Sequence, residues 1–298
     1  MTRGSRAAGR AHVHLAVDAA TAALTADDLV LAGALTSRGI AVTPVVWGDA
    51  LPAGATVVLR SVYDYVDDPG RFRRWLDALD ASAVDVHNPT ATVRWNMHKG
   101  YLHDLAARGV PTVPTNVVAA GSARADLAAI MRAEGWDDAV VKPAIGATAR
   151  ATVHVGRIGA AAAGEHLRTL AAVEDALVQP FLASVVERGE TSIVAIAGEV
   201  THVVHKRAAD GDWRVQAEFG GRSERVPVAT SHREVAARVL AVVDPVPLYA
   251  RVDVVTGTAG ELLLLELELV EPELFFRLAP DAASRLADAL GGRTGAGT

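Results

Sequence analysis

Residues Gly260–Pro272 read GELLLLELELVEP, and the rest of the chain is best interpreted outward from them. In an extended strand alternate side chains share a face. Glu266 and Glu268 therefore point one way, and Leu263, Leu265, Leu267 and Leu269 the other. Carboxylates in so apolar a strand are costly to bury without compensation, and Asp and Glu are disfavoured in strands. A bound cation supplies the compensation. Asp253, in the preceding ARVDVV, reaches the same place if the two segments pair as a hairpin. Three carboxylates so placed suit Mg²⁺, a hard ion that takes oxygen ligands and keeps water or phosphate oxygens in its shell. The plainer alternative is a solvated strand face.

A positive counterpart lies upstream. The chain holds three lysines against 26 arginines, so each lysine stands out as a compact, mobile point charge where a planar fork would not serve. They are Lys99, Lys142 and Lys206. Lys142 ends a short apolar strand in VVKPAIGATAR (Val140–Arg150), and the small residues after it let backbone N–H groups close around phosphate oxygens. The spacing is not that of a P-loop, and a plain turn reads equally well without the carboxylate cluster. In LVQPFLASVVERGETS (Leu177–Ser192), Gln179, Pro180 and Phe181 offer an amide and free backbone groups to an adenine edge, and Glu190 can accept from ribose hydroxyls. A strand end followed by a polar turn is the simpler reading of that string alone.

Composition narrows the classes. The net charge of −6 with no basic block argues against general nucleic-acid binding. The absence of cysteine excludes disulfides, thiolate metal sites and cysteine nucleophiles. No run of 18 apolar residues is present, so no membrane span is expected. The basic start MTRGSRAAGR lacks an apolar signal core and reads as a disordered leader, which makes the cytoplasm the default location. Ten histidines include no HExxH, and His98 and His103 are not on one helical face, so structural roles are favoured over metal binding.

The organisation follows from periodicity. Strands at His12–Val17, Ile40–Trp47, Thr56–Leu59 and Ala83–His87 alternate with helices, the first capped at Thr25 with Asp28 three residues on and the second over Pro69–Leu79. That is a small parallel α/β layer, with no GxGxxG for a dinucleotide. A loop at His87–Asn96, a helix from Met97 to Arg108 and an extended VPTVPT connector come next. A helix near Ala125–Glu134 and strands at Ala139–Lys142, Ala151–Val155 and Ala176–Gln179 complete the middle. Strands at Thr191–Ile196, Val200–Lys206, Trp213–Gln216, Leu248–Val255 and Leu262–Val270 then look antiparallel, with helices at His232–Val243 and Asp281–Leu290. The chain divides into a leader at 1–10, an α/β domain at 11–90, lobes at 91–180 and 181–290, and a flexible tail at 291–298.

In order, NMHKGYLHDLAARGVPTVPT, VVKPAIGATAR, VQPFL…GE, DWRVQAEFGG and ARVDVV…LELELVEP resemble the ATP-grasp ligases, in the branch of prokaryotic glutathione synthetase and the ribosomal-protein glutamate ligases. The likeness runs from His87 to Pro272 and implies an ATP-grasp fold, mixed α/β and α+β, behind an N-terminal pre-ATP-grasp domain. By resemblance, Lys99 and Lys142 hold the ATP phosphates, Gln179 with the backbone of Phe181 and Leu182 holds adenine, and Glu190 holds ribose. Asp253, Glu266 and Glu268 bind Mg²⁺. Arg214 and Gln216 face the reacting carboxylate, and Lys206 lies near the γ-phosphate. One departure is Glu266-Leu267-Glu268 where the family has Glu-x-Asn, which adds negative charge and leaves the number of ions open.

A second is LRSVYDYVDDPGRFRRWLDAL (Leu59–Leu79). Arg60, Tyr63, Asp64 and Tyr65 at a strand end could recognise an amino-acid zwitterion, Arg taking the carboxylate and Asp the amine. A polar loop before a helix-entry Asp is the balanced alternative. Similar RSxxDY segments occur in a subgroup of small ATP-grasp proteins that includes a cycloserine-forming cyclo-ligase acting on O-ureido-serine. The resemblance thus implies an ADP-forming ligase that activates a carboxylate of a small amino-acid-like substrate as an acyl phosphate and forms an amide-like bond, between molecules or within one. A small-molecule kinase and a non-catalytic ATP-binding protein are the rival readings, and the oligomeric state is not written in these motifs.

Overall fold

The computed structural model describes residues 11–122 and 124–293. The leader expected at 1–10 and residues 294–298 of the expected tail lie outside the described residues.

The first sheet is parallel, in the order β2-β1-β3-β4, from β1 (His12–Val17), β2 (Ala41–Val46), β3 (Thr56–Ser61) and β4 (Asp85–His87). Helix α1 (Ala26–Thr36) starts where expected, because the Thr25 hydroxyl accepts from the Asp28 N–H at 3.2 Å and donates to the Asp28 carboxylate at 2.8 Å. Helix α2 (Pro69–Ala81) turns Phe72, Trp75, Leu76 and Leu79 into the sheet.

The loop expected at His87–Asn96 is mostly helix: α3 (Thr90–Asn96) precedes α4 (Tyr101–Ala107), so the single helix expected over Met97–Arg108 is shorter and interrupted. Distant partners explain this. Asn88 accepts from the Leu248 N–H at 2.7 Å and donates to the Leu269 carbonyl at 2.8 Å. Asn96 donates to the Leu267 carbonyl at 2.8 Å and accepts from the Leu269 N–H at 2.7 Å. Two asparagines over 150 residues upstream thus clamp the strand that carries Glu266 and Glu268. No local pattern encodes that.

The second sheet is antiparallel, in the order β5-β8-β6-β7, from β5 (Asn116–Val118), β6 (Ala139–Pro143), β7 (Val153–His154) and β8 (Ala176–Pro180). Helices α5 (Leu127–Glu134), α6 (Val155–Ile158) and α7 (Ala160–Val173) accompany it. The alanine tract at Ala160–Ala163 opens α7, whose Leu167, Leu170 and Ala171 are buried. The strand expected over Ala151–Val155 is only two residues long, since Ala151 lies in a turn with φ of 51°.

After the short α8 (Ser184–Arg188), the third sheet is antiparallel in the order β11-β10-β9-β12-β13. Its strands are β9 (Glu190–Ile196), β10 (Glu199–Arg207), β11 (Arg222–Val226), β12 (Tyr249–Thr256) and β13 (Leu262–Glu268). Helix α9 (Thr230–Leu240) separates β11 from β12, and α10 (Pro280–Arg293) closes the fold. Leu286 and Leu290 of α10 pack with Leu31 and Leu35 of α1 in one core, so the expected tail begins inside a helix. Trp213–Gln216 is not the strand expected of it: the Asp212 carboxylate accepts from the Trp213 and Arg214 N–H groups and turns the chain, leaving β11 to pair with β10 further on. Among the described residues no helix is long and apolar enough to cross a membrane.

Candidate active site

The three sheets meet around one cleft of about 580 Å³. Every site residue singled out in the sequence lines it except Arg60 and Asp64. β12 and β13 pair as the expected hairpin, with Asp253 opposite Glu266 and Arg251 opposite Glu268. A register shift follows Asp253, so Leu265 has no partner, and the buried leucines are Leu264, Leu267 and Leu269. The strict alternation expected over Leu263–Leu269 holds only from Glu266 onward, because the bulge re-aims everything before it.

Each carboxylate has a cation. Glu266 lies 3.0 Å from the Lys99 Nζ. Asp253 receives Arg251 at 2.9 Å, Lys206 at 3.6 Å and the Ser192 hydroxyl. Arg251 also bonds Glu268, and Lys206 bonds Glu190. Burial, opposed by the charge of Arg251 and reinforced by Glu266, pushes the Glu268 carboxyl up to about 7. Glu271, on the same wall, is pushed up to about 8 by burial and by Glu268. The donor set is oxygen-only, and with Glu190 and Glu271 on the same wall the acids number five against Lys99, Lys142, Lys206 and Arg251, a surplus that a divalent cation would relieve. As they stand, no three acidic or histidine side chains among the described residues form a ready metal cage; the lysines and Arg251 hold the carboxylates in its place.

Lys142 differs from the other two lysines. It makes no ion pair among the described residues, and burial, with Lys99 beside it, lowers its ammonium to about 8. The loop that follows, from Ala144 to Thr152, holds Thr148, Ala149 and Ala151 at positive φ, a conformation that costs non-glycine residues about 1 kcal/mol or more each.

At the other end, Gln179 donates to the Thr115 hydroxyl at 2.9 Å. The Phe181 N–H is committed to the Asp138 carbonyl at 3.1 Å, so the Leu182 N–H and the Phe181 carbonyl are the backbone groups available to a purine edge. The Phe181 ring stacks on His154 at 3.8 Å and meets Trp213 edge-on at 6.1 Å. Arg214 is gripped by Asp212 at 2.8 Å and lies 3.5 Å over the Phe219 ring, while the buried Gln216 Oε1 has no hydrogen-bond partner.

Sequence reasoning missed Arg251, Glu271, Asn88, Asn96 and the His154–Phe181–Trp213 group. It also missed Gly189, just before Glu190. With φ of 80°, a Cβ there would meet the Lys206 carbonyl at 2.2 Å. Gly189→Ala is expected to lower stability by about 2–4 kcal/mol, read as a fall in Tm.

The substrate residues need correction. Arg60 is buried beneath the cleft, paired with Asp28 at 2.9 Å and Asp27 at 3.9 Å, and cannot take a ligand carboxylate. Asp64 turns away to accept from the Trp47 indole. Tyr65 and Tyr63 do line the cleft. The N-terminal layer also contributes a residue that sequence reading passed over, Asp27.

Residues 109–266 match the ATP-grasp domain of prokaryotic glutathione synthetase, which is more than half of the chain, and residues 13–88 match the N-terminal domain of D-cycloserine synthetase DcsG. The chain is 34% identical over 253 residues to the cycloserine biosynthesis protein DcsG of Streptomyces lavendulae, covering 80% of this chain and 82% of that one. The crystal structure of D-cycloserine synthetase DcsG superposes with a TM-score of 0.86 and 31% identity, over 95% of this chain and 99% of that one. D-alanine–D-alanine ligase of Bacillus anthracis, 14% identical, shares the fold with a TM-score of 0.67 over 95% and 97% of the two chains. The chain therefore belongs to the ATP-grasp ligases. It is an ATP- and Mg²⁺-dependent enzyme that forms a carbon–nitrogen bond.

Proposed function

We propose that this ligase closes the five-membered ring of cycloserine by joining two ends of one O-ureido-serine molecule. The observation that carries the reading is the N-terminal domain: it matches that of a cycloserine synthetase and supplies Asp27, Tyr63 and Tyr65 to the cleft wall. The substrate carboxylate takes the γ-phosphoryl group, and ADP leaves. The ureido nitrogen bonded to oxygen then attacks the acyl carbon, loses its proton and expels phosphate. Loss of the carbamoyl group with one water, as carbon dioxide and ammonia, gives cycloserine. Because both reacting groups sit on one molecule, ring closure avoids the entropic cost of bringing two together.

The chain's own contribution is placement and charge. Lys99, Lys142 and Lys206 hold the triphosphate; Gln179, the Phe181 carbonyl and the Leu182 N–H hold adenine. Glu190 is shared between Lys206 and the ribose hydroxyls. Asp253, Glu266 and Glu268 hold magnesium, which when bound neutralises phosphate charge. Arg214, fixed by Asp212 and Phe219, steadies the anion that develops at the carboxylate, and Gln216 offers its amide beside it. No side-chain nucleophile is required. With ATP, Mg²⁺ and O-ureido-serine, ADP and cycloserine are expected in equal amounts without an added amine. A stable phosphorylated product, or a requirement for a second amine, would reject ring closure.

A further inference from the structure

Between β10 and β11 the chain leaves the third sheet as a long loop, residues 208–221, that carries Trp213, Arg214 and Gln216. Its strand ends stay paired, with Arg207 opposite Arg222, and the loop folds tightly on itself. The Asp212 N–H donates to the Ala209 carbonyl at 3.0 Å, and the Gly221 N–H to the Gln216 carbonyl at 3.1 Å. A Cβ at Gly221 would meet the Val215 carbonyl at 2.1 Å, so that turn has no room for a side chain. Both grips on Arg214, the Asp212 carboxylate and the Phe219 ring, lie inside the same loop. They fix the loop's shape and not its place across the cleft.

That place is marked by contacts with the other lobe. Trp213 meets the Phe181 ring edge-on at 6.1 Å and the His154 ring at 5.8 Å, separations at which aromatic pairs attract. Beside it, the Arg157 guanidinium of α6 donates to the Gly211 carbonyl at 2.8 Å. Phe181, His154 and Arg157 belong to or adjoin the second sheet, whereas the loop springs from the third. One residue anchors both rings of the platform. The Asp138 carboxylate accepts from the His154 ring at 2.6 Å, and the Asp138 carbonyl accepts from the Phe181 N–H at 3.1 Å. Phe181 also supplies the carbonyl available to a purine edge, so adenine and Trp213 rest on the same residue. Trp213, Phe181 and Arg214 all line the cleft.

We propose that Trp213 is a positioning residue for the ligase reaction: docked on Phe181 and His154, it places Arg214 at the carboxylate to be activated. The adenine seat and the acyl end of the cleft are then aligned by one contact between the second and third sheets. Trp213 and Arg214 are neighbours in the chain, and the Asp212 carboxylate accepts from both of their N–H groups, at 2.7 and 3.0 Å. A shift of one therefore carries the other. A displacement of about 1 Å at a group that steadies developing charge is enough to lower turnover about 100-fold. Trp213 acts through Arg214 and not on the reacting atoms. The inference rests on the role given to Arg214 above, and the experiment separates the two.

Magnesium-dependent ADP release is measured for wild type, Trp213→Ala, Trp213→Phe, Arg214→Met and the Trp213→Ala/Arg214→Met double variant, with whichever α-amino acid the enzyme turns over. Binding of a non-hydrolysable ATP analogue is measured by calorimetry. Trp213→Ala is expected to lower kcat about 10- to 100-fold, with analogue affinity within about threefold of wild type and Trp213→Phe keeping most of the rate. In the Arg214→Met background the same exchange should cost less than about threefold, since a residue that works through Arg214 has nothing left to place. An equal cost in both backgrounds would overturn the positioning role and leave that of Arg214 intact. Unchanged turnover in Arg214→Met would reject the role of Arg214, and the proposal with it. A fall in analogue affinity with kcat unchanged would make Trp213 a purine contact and overturn the proposal. Trp213 is half-buried in a loop, so the thermal melts of its variants should match wild type. Hydrogen exchange needs no substrate: the amides of residues 208–221 should exchange about tenfold faster in Trp213→Ala than in wild type or Trp213→Phe. Unchanged exchange there would overturn the proposal whatever the substrate proves to be.

Discussion

Glu266→Gln is expected to lower kcat about 100- to 1,000-fold and to raise the Mg²⁺ concentration needed for half-maximal turnover, with the fold intact. Glutamine keeps the shape, so the effect is one of charge. Glu266 stands opposite Asp253 in the β12–β13 ladder and 3.0 Å from Lys99. Its carboxyl is held below the usual range by Lys99 and Lys142 despite burial, as that of Asp253 is by Arg251 and Lys206, whereas Glu268 is pushed up to about 7. Removing its charge takes away the proposed magnesium ligand and leaves Lys99 without its ion-pair partner, and a buried unpaired charge is costly. Steady-state ADP release against magnesium concentration reads the result. Unchanged magnesium-dependent turnover would reject Glu266 as a ligand.

Lys142→Met is the second large effect, with ATP affinity expected to fall about 100-fold, as for the loss of a buried charge-assisted contact. A pH signature identifies the cause. In the free protein Lys142 titrates near 8, below an ordinary lysine, while Lys99 and Lys206 are held above theirs by Glu266 and by Asp253 with Glu190. Only the protonated amine attracts phosphate. Affinity is therefore expected to fall up to about tenfold per pH unit above pH 8, with a proton taken up on binding. Glu271 ionises in the same window and adds to the slope, so the variant is the control: Lys142→Met should bind weakly at every pH and lose most of the slope. Calorimetry in buffers of different ionisation enthalpy measures both affinity and proton uptake. A wild-type curve with no break near pH 8 would exclude Lys142 as a phosphate contact.

Much of this was legible before any coordinate. The apolar strand bearing Glu266 and Glu268 forms the hairpin with Asp253, since a two-residue period states which side chains share a face from Glu266 onward. The three lysines stood out against an arginine-rich background, and all three line the cleft. Local rules failed where a side chain far away takes over the backbone. Asn88 and Asn96 anchor a segment expected to be loop, and the Asp212 carboxylate turns a segment expected to be strand.

The sequence by itself determined the class of chemistry. Lysine, carboxylate and small-residue segments recur in an order that survives any uncertainty about helix ends, because each is set by residue type over a few neighbouring positions. Tertiary structure alone decided which charged groups line the cleft. Arg60 and Asp64 sit at the end of a strand, a place where recognition residues are common, yet Asp28 buries one and Trp47 takes the other. Asp27 and Arg277, 250 positions apart, meet at the cleft instead. Local sequence cannot show this, since whether a charge faces water, a ligand or a counter-charge depends on what the rest of the chain packs against it.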